Sequence, residues 1–152
     1  MHFARDVADD IETLAYPHPP AMVVVFDLDD TLVRYTKRGA KVPRETWHAL
    51  RRLHENGAQL FVVSYNPMAP FLVAQLGLSK YIDITVTGVP PRTSLLDVLV
   101  TKVGLPPWFI YIDDRPDNIR EIRAKWTEAD CALVGPGATV TCGFIVRTIL
   151  GS

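Results

Sequence analysis

Three carboxylates stand within four residues in MVVVFDLDDTLV, residues 22 to 33, where Asp27, Asp29 and Asp30 follow an apolar run. Like charges this close raise one another's cost of ionisation, so a cation or a proton is expected between them. A second acidic group, Asp113, Asp114 and Asp117, follows the apolar run WFIYI and is joined by Asn118. If the backbone stays extended, the D-x-D spacing of Asp27 and Asp29 puts both side chains on one side. With Asp114 arriving from another strand, the set suits a hard divalent cation that prefers oxygen ligands, with Mg²⁺ the foremost candidate. A carboxylate beside Mg²⁺ and a phosphate group can act as nucleophile, forming an aspartyl-phosphate that water later cleaves. Phosphate charge then needs compensation from a hydroxyl, from N–H groups at helix starts and from a fixed cation. Ser64 is the candidate hydroxyl and Arg92 the candidate cation.

Regular elements must position these residues, and the chain alternates between β-rich and helical patterns. Strands are predicted at 22–27, 59–64, 82–87, 108–112 and 131–134. Helices are predicted from Pro43 to about Asn56, ended by Gly57, at about 67–77, at about 93–103, and from Pro116 to Trp126. Five strands separated by helices predict an α/β, Rossmann-like three-layer α/β/α sandwich whose central parallel sheet is covered on both faces. Ligands of such folds collect beyond the carboxyl ends of the strands. Three of those ends would bring Asp27, Asp29 and Thr31, then Ser64, Tyr65 and Asn66, then Asp113, Asp114, Asp117 and Asn118 to one acidic, hydroxyl-lined pocket. Phe3, Val7, Ile11 and Leu14 have helical spacing and the YPHPP run stops that helix, so residues 1–20 read as an appendage and lead-in to the core at about 22–134. In the tail, residues 135–152, the stretch ATVTCGFIVRTIL fits a helix or a strand.

A chain of 152 residues fits one domain with a single substantial core. Its 48% hydrophobic and 22% charged residues, with a net charge of -1, exclude a disordered or collagen-like chain and give no global sign of nucleic-acid or membrane binding. Cys131 and Cys142 lack metal-type spacing and read as reduced packing residues. The N-terminus carries acids where a secretory signal needs a positive start, and the apolar runs fall short of the roughly 20 residues that span a bilayer. A soluble protein of a reducing compartment, the cytoplasm, is expected.

FDLDDTL, followed by a strand ending in VVS and later by YIDDRPDN, resembles the haloacid dehalogenase superfamily of aspartate-nucleophile phosphotransferases. The resemblance covers about residues 22–134. It implies Asp27 as nucleophile, Asp29 as general acid and base, Thr31 as a positioning residue and Ser64 as the phosphate-binding hydroxyl. It further implies Mg²⁺ ligation by Asp27, the backbone carbonyl of Asp29 and Asp114, with Asp113 and Asn118 supporting them. The family's third motif is usually a lysine; here Arg92 stands at about the right point, with Lys102 and Lys80 as the other cations in reach. Arginine replaces the charge but not the compact point donor. The intervals between motifs leave no room for a lid domain, which resembles the capless branch and, through WHALRRLHENGAQLFVVS and YIDDRPDNI, the magnesium-dependent phosphatase-1 group.

The reading that follows is a Mg²⁺-dependent phosphomonoesterase with an open site for a phosphoprotein or an accessible small phosphate. RYTKRGAKVPR, residues 34–44, carries Arg34, Lys37, Arg38, Lys41 and Arg44 with no acid, and reads either as a solvated mobile loop or as a surface for an anionic macromolecule such as a nucleic-acid end. The second case would make the chain a polynucleotide 3′-phosphatase, and the missing lysine leaves a catalytically inactive binding module as a further alternative. A receiver-type signalling domain is disfavoured because it lacks D-x-D-x-T. Asp30 reads as a structural turn residue, Asp117 as an exposed acid in a helix's first turn, and His48, His54, Trp47, Trp108 and Trp126 as surface or packing residues.

Overall fold

A computed structural model of the chain describes residues 22–145 and Arg147; the expected N-terminal helix and Pro-rich lead-in lie outside the described residues. Five parallel strands, β1 (Val23–Asp27), β4 (Gln59–Ser64), β5 (Ile84–Thr87), β6 (Ile110–Asp113) and β7 (Asp130–Leu133), form one sheet in the order β5-β4-β1-β6-β7. Between β1 and β4 lie a small antiparallel hairpin, β2 (Arg34–Thr36) with β3 (Gly39–Lys41), and helix α1 (Arg44–Glu55). Helices α2 (Ala69–Gln75), α3 (Arg92–Val103) and α4 (Pro116–Lys125) join the later strands, and a short α5 (Cys142–Ile145) follows β7. This is the α/β, Rossmann-like arrangement expected, with no lid domain among the described residues.

The alternation of side chains along each strand divides the core into two layers. Val24, Phe26, Leu60, Val62 and Ile112 pack against Ala49, Leu50 and Leu53 of α1 and Ala69 and Val73 of α2. Val23, Val25, Phe61, Val63 and Tyr111 pack on the opposite face against Leu95, Leu96 and Leu99 of α3 and Ile119 and Ile122 of α4. Because β1 is buried along its whole length, Val23–Phe26 run apolar without a polar alternate, as a central parallel strand requires, and Asp27 is its one buried polar residue.

The helix boundaries follow local chemistry. Pro43 precedes α1 in extended backbone, and Gly57, at φ 83°, turns the chain back toward β4. α3 ends on Gly104 in the left-handed region, where its N–H bonds Val100 O. Gly88 serves a different need, since a Cβ there would lie 2.7 Å from Leu95 Cδ2. The helix expected over 67–77 is shorter, at 69–75, and passes into a 3₁₀ turn at Leu78–Lys80. β6 extends one residue beyond the expected 108–112 and so carries Asp113 as its last residue.

The basic stretch 34–44 is not one loop. Its first part pairs as the hairpin, closed by Thr36 Oγ1 donating to Gly39 O and by Arg38 N donating to Thr36 Oγ1, with Gly39 at φ 108°. Arg34 ties it to the domain by donating from Nη2 to Gly137 O. Of the ambiguous C-terminal stretch, Cys142–Ile145 is helical. No helix among the described residues is long and apolar enough to cross a membrane.

Candidate functional site

The strand order reverses direction at β1: the chain moves outward from β1 through β4 to β5, then returns to β6 on its other side. Such a reversal opens a crevice beyond the carboxyl ends of the two strands flanking it. Asp27 closes β1 and Asp113 closes β6, and the register pairs Phe26 with Ile112, so the two acids emerge side by side. Period-two alternation puts Asp27 on the face of Val23 and Val25, and Asp113 on the face of Tyr111, both toward α3 and α4. Carboxylate oxygens of Asp27, Asp113 and Asp114 lie within 4.8 Å of one another, a group that could hold a metal ion.

Arg92, the first residue of α3, enters this cluster fully buried. Its Nη2 donates to Asp27 Oδ1 at 3.1 Å and stands 3.7 Å from Asp113 Oδ2. The Tyr65 ring lies over the guanidinium at 4.3 Å, and Nε and Nη1 have no hydrogen-bond partner. Unpaired buried donors are costly, and here they belong to the same guanidinium that meets Asp27 and Asp113 through Nη2. Lys102 sits in the last turn of the same helix, away from the end that carries Arg92, and Lys80 is exposed in the 3₁₀ turn.

Each acid has distinct partners. Asp27 also accepts from Thr31 Oγ1 at 3.3 Å. Its carboxyl is raised from 3.8 to about 8 by burial first and by Asp113 and Asp114, and the opposing pull of Arg92 does not cancel them. The hydrogen bond between Asp27 and Asp114 pushes the first up and the second down, while burial keeps Asp114 above its usual range. Asp113, fully buried, accepts from the Tyr111 hydroxyl, from Asn118 Nδ2 at 2.9 Å and from Arg115 N at 3.0 Å. Arg92 supplies positive charge to this crowd of acids, and burial with the neighbouring acids pushes Asp27 up toward its protonated form.

Asp29 does not join the cluster. β1 ends at Asp27, and the chain then folds into a tight turn in which Leu32 N and Val33 N both donate to Leu28 O, at 2.9 and 3.0 Å. Leu28 still packs in the core layer of Val24 and Phe26. Asp29 instead accepts from the Tyr35 hydroxyl at 2.5 Å and from Asn66 Nδ2 at 3.4 Å. Burial and Asp29 both push the Tyr35 phenol above its usual range, so it keeps its proton. Leu28, Leu32 and Val33 are fully buried and pin the turn, and Asp30 takes φ 64° at its exposed corner. Thr31 O accepts from Val140 N at 3.0 Å, and Thr46 Oγ1 donates to Val140 O at 2.7 Å, which braces the turn from the α1 side.

Ser64, buried at the end of β4, accepts from Asn66 N at 3.0 Å. Asn66 is held further by Met68 N, which donates to its Oδ1 at 2.9 Å, and by Thr87 Oγ1, which donates to its backbone O. Asp117 is exposed in the first turn of α4, where it pairs with Arg115 at 3.5 Å. His54 packs on Tyr81, Trp47 meets the same ring edge-on, and Trp126 stacks edge-on against Phe109, while Trp108 is exposed. A separate cavity of about 340 Å³, lined by Glu45, His48, Thr141, Cys142 and Gly143, contains none of the clustered carboxylates.

Three participants are absent from the sequence reading as site residues. Tyr111 was open to discovery, because it precedes Asp113 by two in a strand and must share its face. Tyr35 depends on the hairpin, whose strands are exposed and carry no apolar alternation. Glu121, which accepts from Thr93 N at 2.9 Å and so secures the start of α3, depends on how α3 and α4 pack. The sequence matches no protein-family model and no curated protein.

Proposed function

We propose that the chain is a phosphomonoesterase of the haloacid dehalogenase type, using Mg²⁺ and an aspartyl-phosphate on Asp27. The observation that carries this reading is the convergence of three carboxylates and a buried arginine at the sheet's switch point. The donor set fits the metal: all three groups offer hard oxygen, and a divalent cation among them would relieve the crowding of acids that pushes Asp27 up. When bound, Mg²⁺ would be held by Asp27 and Asp114, with the Asp29 carbonyl, and would supply charge neutralisation for the phosphate oxygens.

The chain's own residues supply the rest. Asp27 attacks phosphorus, with its carboxylate oriented by Thr31 and Arg92. Arg92 offers its unpaired N–H groups to a phosphate oxygen, and the Ser64 hydroxyl offers a further donor. Asp113, saturated by Tyr111, Asn118 and Arg115, is better suited to orient its neighbours than to exchange ligands. Asp29 protonates the leaving group and later activates water.

The test is phosphate release from p-nitrophenyl phosphate and from a panel of phosphopeptides, sugar phosphates and 3′-phosphorylated oligonucleotides, with Mg²⁺ and with EDTA. Metal-dependent turnover that falls by at least about 10³-fold in Asp27→Asn is expected, as for loss of a nucleophile. Turnover equal in the chain and the variant on every substrate would refute the reading and favour a binding module that keeps the pocket without the chemistry. A polynucleotide 3′-phosphatase draws support from the exposed Arg34, Lys37, Arg38 and Lys41 on the hairpin, and the oligonucleotide arm decides it.

A further inference from the structure

β4 ends on Ser64, and the next residue, Tyr65, packs against the core layer that includes α3 and α4. The guanidinium of Arg92, the first residue of α3, lies over the Tyr65 ring with Cζ 4.3 Å from the ring centre. We propose that Tyr65 is a positioning residue that sets the orientation of the Arg92 guanidinium beside Asp27, a role that rests on the phosphatase reading above.

An arginine side chain has several rotatable bonds and a planar head, so holding one of its nitrogens leaves the rest free to turn about that point. Nη2 is held, since it donates to Asp27 Oδ1 at 3.1 Å. The second acid, Asp113, stands 3.7 Å away, past the roughly 3.2 Å reach of a good N–H···O bond, and adds attraction with little direction. Nε and Nη1 have no hydrogen-bond partner among the described residues. No second hydrogen bond therefore orients the group, and the aromatic face takes that part. The negative face of a ring attracts a cation most strongly where the cation is withdrawn from water, and Arg92 is only 2% exposed.

Ring and guanidinium arrive from elements that are braced separately. On the β4 side, Ser64 Oγ accepts from Asn66 N at 3.0 Å, Asn66 O accepts from Thr87 Oγ1 at 2.8 Å, and Gly88 N donates to Ser64 O at 3.4 Å. These bonds pin the backbone on either side of Tyr65. On the α3 side, Thr93 N donates to Glu121 at 2.9 Å, next to Arg92 itself. The ring over the guanidinium thus joins two fixed strand and helix ends across the site.

Tyr65 and Arg92 form and break no covalent bond in the reaction proposed above. Asp27 changes, however, from a carboxylate to an aspartyl-phosphate and back, so the bond it makes to Nη2 joins a reacting group. The Tyr65 ring is the same in every state of the cycle, and it keeps Arg92 in register while its partner alters. Without an aromatic face the guanidinium turns about Nη2, and both the binding of phosphate and its transfer lose a fixed donor.

The experiment compares three replacements at position 65 in the full chain with Mg²⁺, reading kcat and KM on p-nitrophenyl phosphate, competitive inhibition by inorganic phosphate, the urea midpoint and the NMR signal of the Arg92 Nε–H group. Tyr65→Leu removes the face, and pentafluorophenylalanine keeps the ring's shape but reverses the charge of its face. Both are expected to lower kcat/KM by about 10-fold, to weaken phosphate inhibition and to move the Arg92 signal. Tyr65→Phe keeps the face and is expected to retain at least about a third of the activity, with the signal near its original place. Full activity in the fluorinated variant overturns the positioning role alone, by reducing Tyr65 to a space-filling residue. A loss in Tyr65→Phe as large as in Tyr65→Leu overturns it by assigning the effect to the hydroxyl, and a loss without movement of the Arg92 signal overturns it by placing the effect elsewhere. Absence of turnover by the unaltered chain on every substrate overturns the phosphatase reading and this role with it.

Discussion

A carboxyl group held protonated near neutrality makes folding itself depend on pH, and Asp27 is such a group. Its value in the fold, about 8, exceeds the 3.8 of the unperturbed group because of burial and the nearby acids, so the folded chain binds this proton more tightly than the unfolded one. The contribution to stability is therefore fully present below about pH 4 and is lost as pH rises through about 8. With EDTA present, the urea midpoint is expected to fall between about pH 5 and about pH 8.5, and the fall should shrink in Asp27→Asn, which has no proton to lose. Mg²⁺ should reduce it as well, because a cation replaces the proton among Asp27, Asp113 and Asp114. A fall of the same size under all three conditions would show that other groups govern it. The identities of these acids were legible in the sequence, from their place after apolar runs. The partners of the Asp29 carboxylate were not all legible, because Tyr35 reaches it from the hairpin.

At the scale of elements, Arg92 is useful only while the first turn of α3 stays in place, and that turn is secured from a neighbouring helix. No side chain of its own caps α3; Glu121 of α4 accepts from Thr93 N instead. Glu121→Ala is expected to lower stability by about 1 kcal/mol, as loss of a helix cap does, and to reduce turnover through Arg92. The same two helices are joined at Lys125 and Asp97, with contacts of 2.7 and 2.9 Å, but both side chains are about half exposed. Lys125→Ala is therefore expected to cost under about 0.5 kcal/mol and to leave activity unchanged. Chemical denaturation of both variants beside phosphatase assays separates the two cases, and equal losses would contradict this ranking. The five strands and four main helices were legible because buried parallel strands form apolar runs and Pro43, Gly57, Gly104 and Pro116 mark helix ends. The hairpin was not, although Gly39 stands in the right place for its turn, because every residue of β2 is exposed. Glu121 escaped notice for a related reason: a cap supplied across a helix pair leaves no local pattern.

For the molecule as a whole, the acid cluster lies at the carboxyl ends of the strands without a lid domain among the described residues, and the hairpin reaches the first motif through the bond from Tyr35 to Asp29. Arg34, Lys37, Arg38 and Lys41 are all exposed there, on a chain whose formal net charge is only -1, so the positive potential is local. Combined Lys37→Glu and Arg38→Glu is expected to lower kcat/KM for 3′-phosphorylated oligonucleotides by about 10-fold or more at low salt, with less than about 3-fold change for p-nitrophenyl phosphate. Equal change on both substrates would remove the hairpin from substrate selection. The turn at Lys37 and Arg38 also belongs to neither ladder of the five-stranded sheet nor to either core layer. A foreign domain spliced between those two residues would leave the sheet and its acids intact while roofing the entrance. The same splice after β4 would cut through the Ser64 and Asn66 bonds. The chemistry and the access to it are thus written in separable stretches of chain, and a protein engineer can trade one entrance for another without rebuilding the pocket beneath.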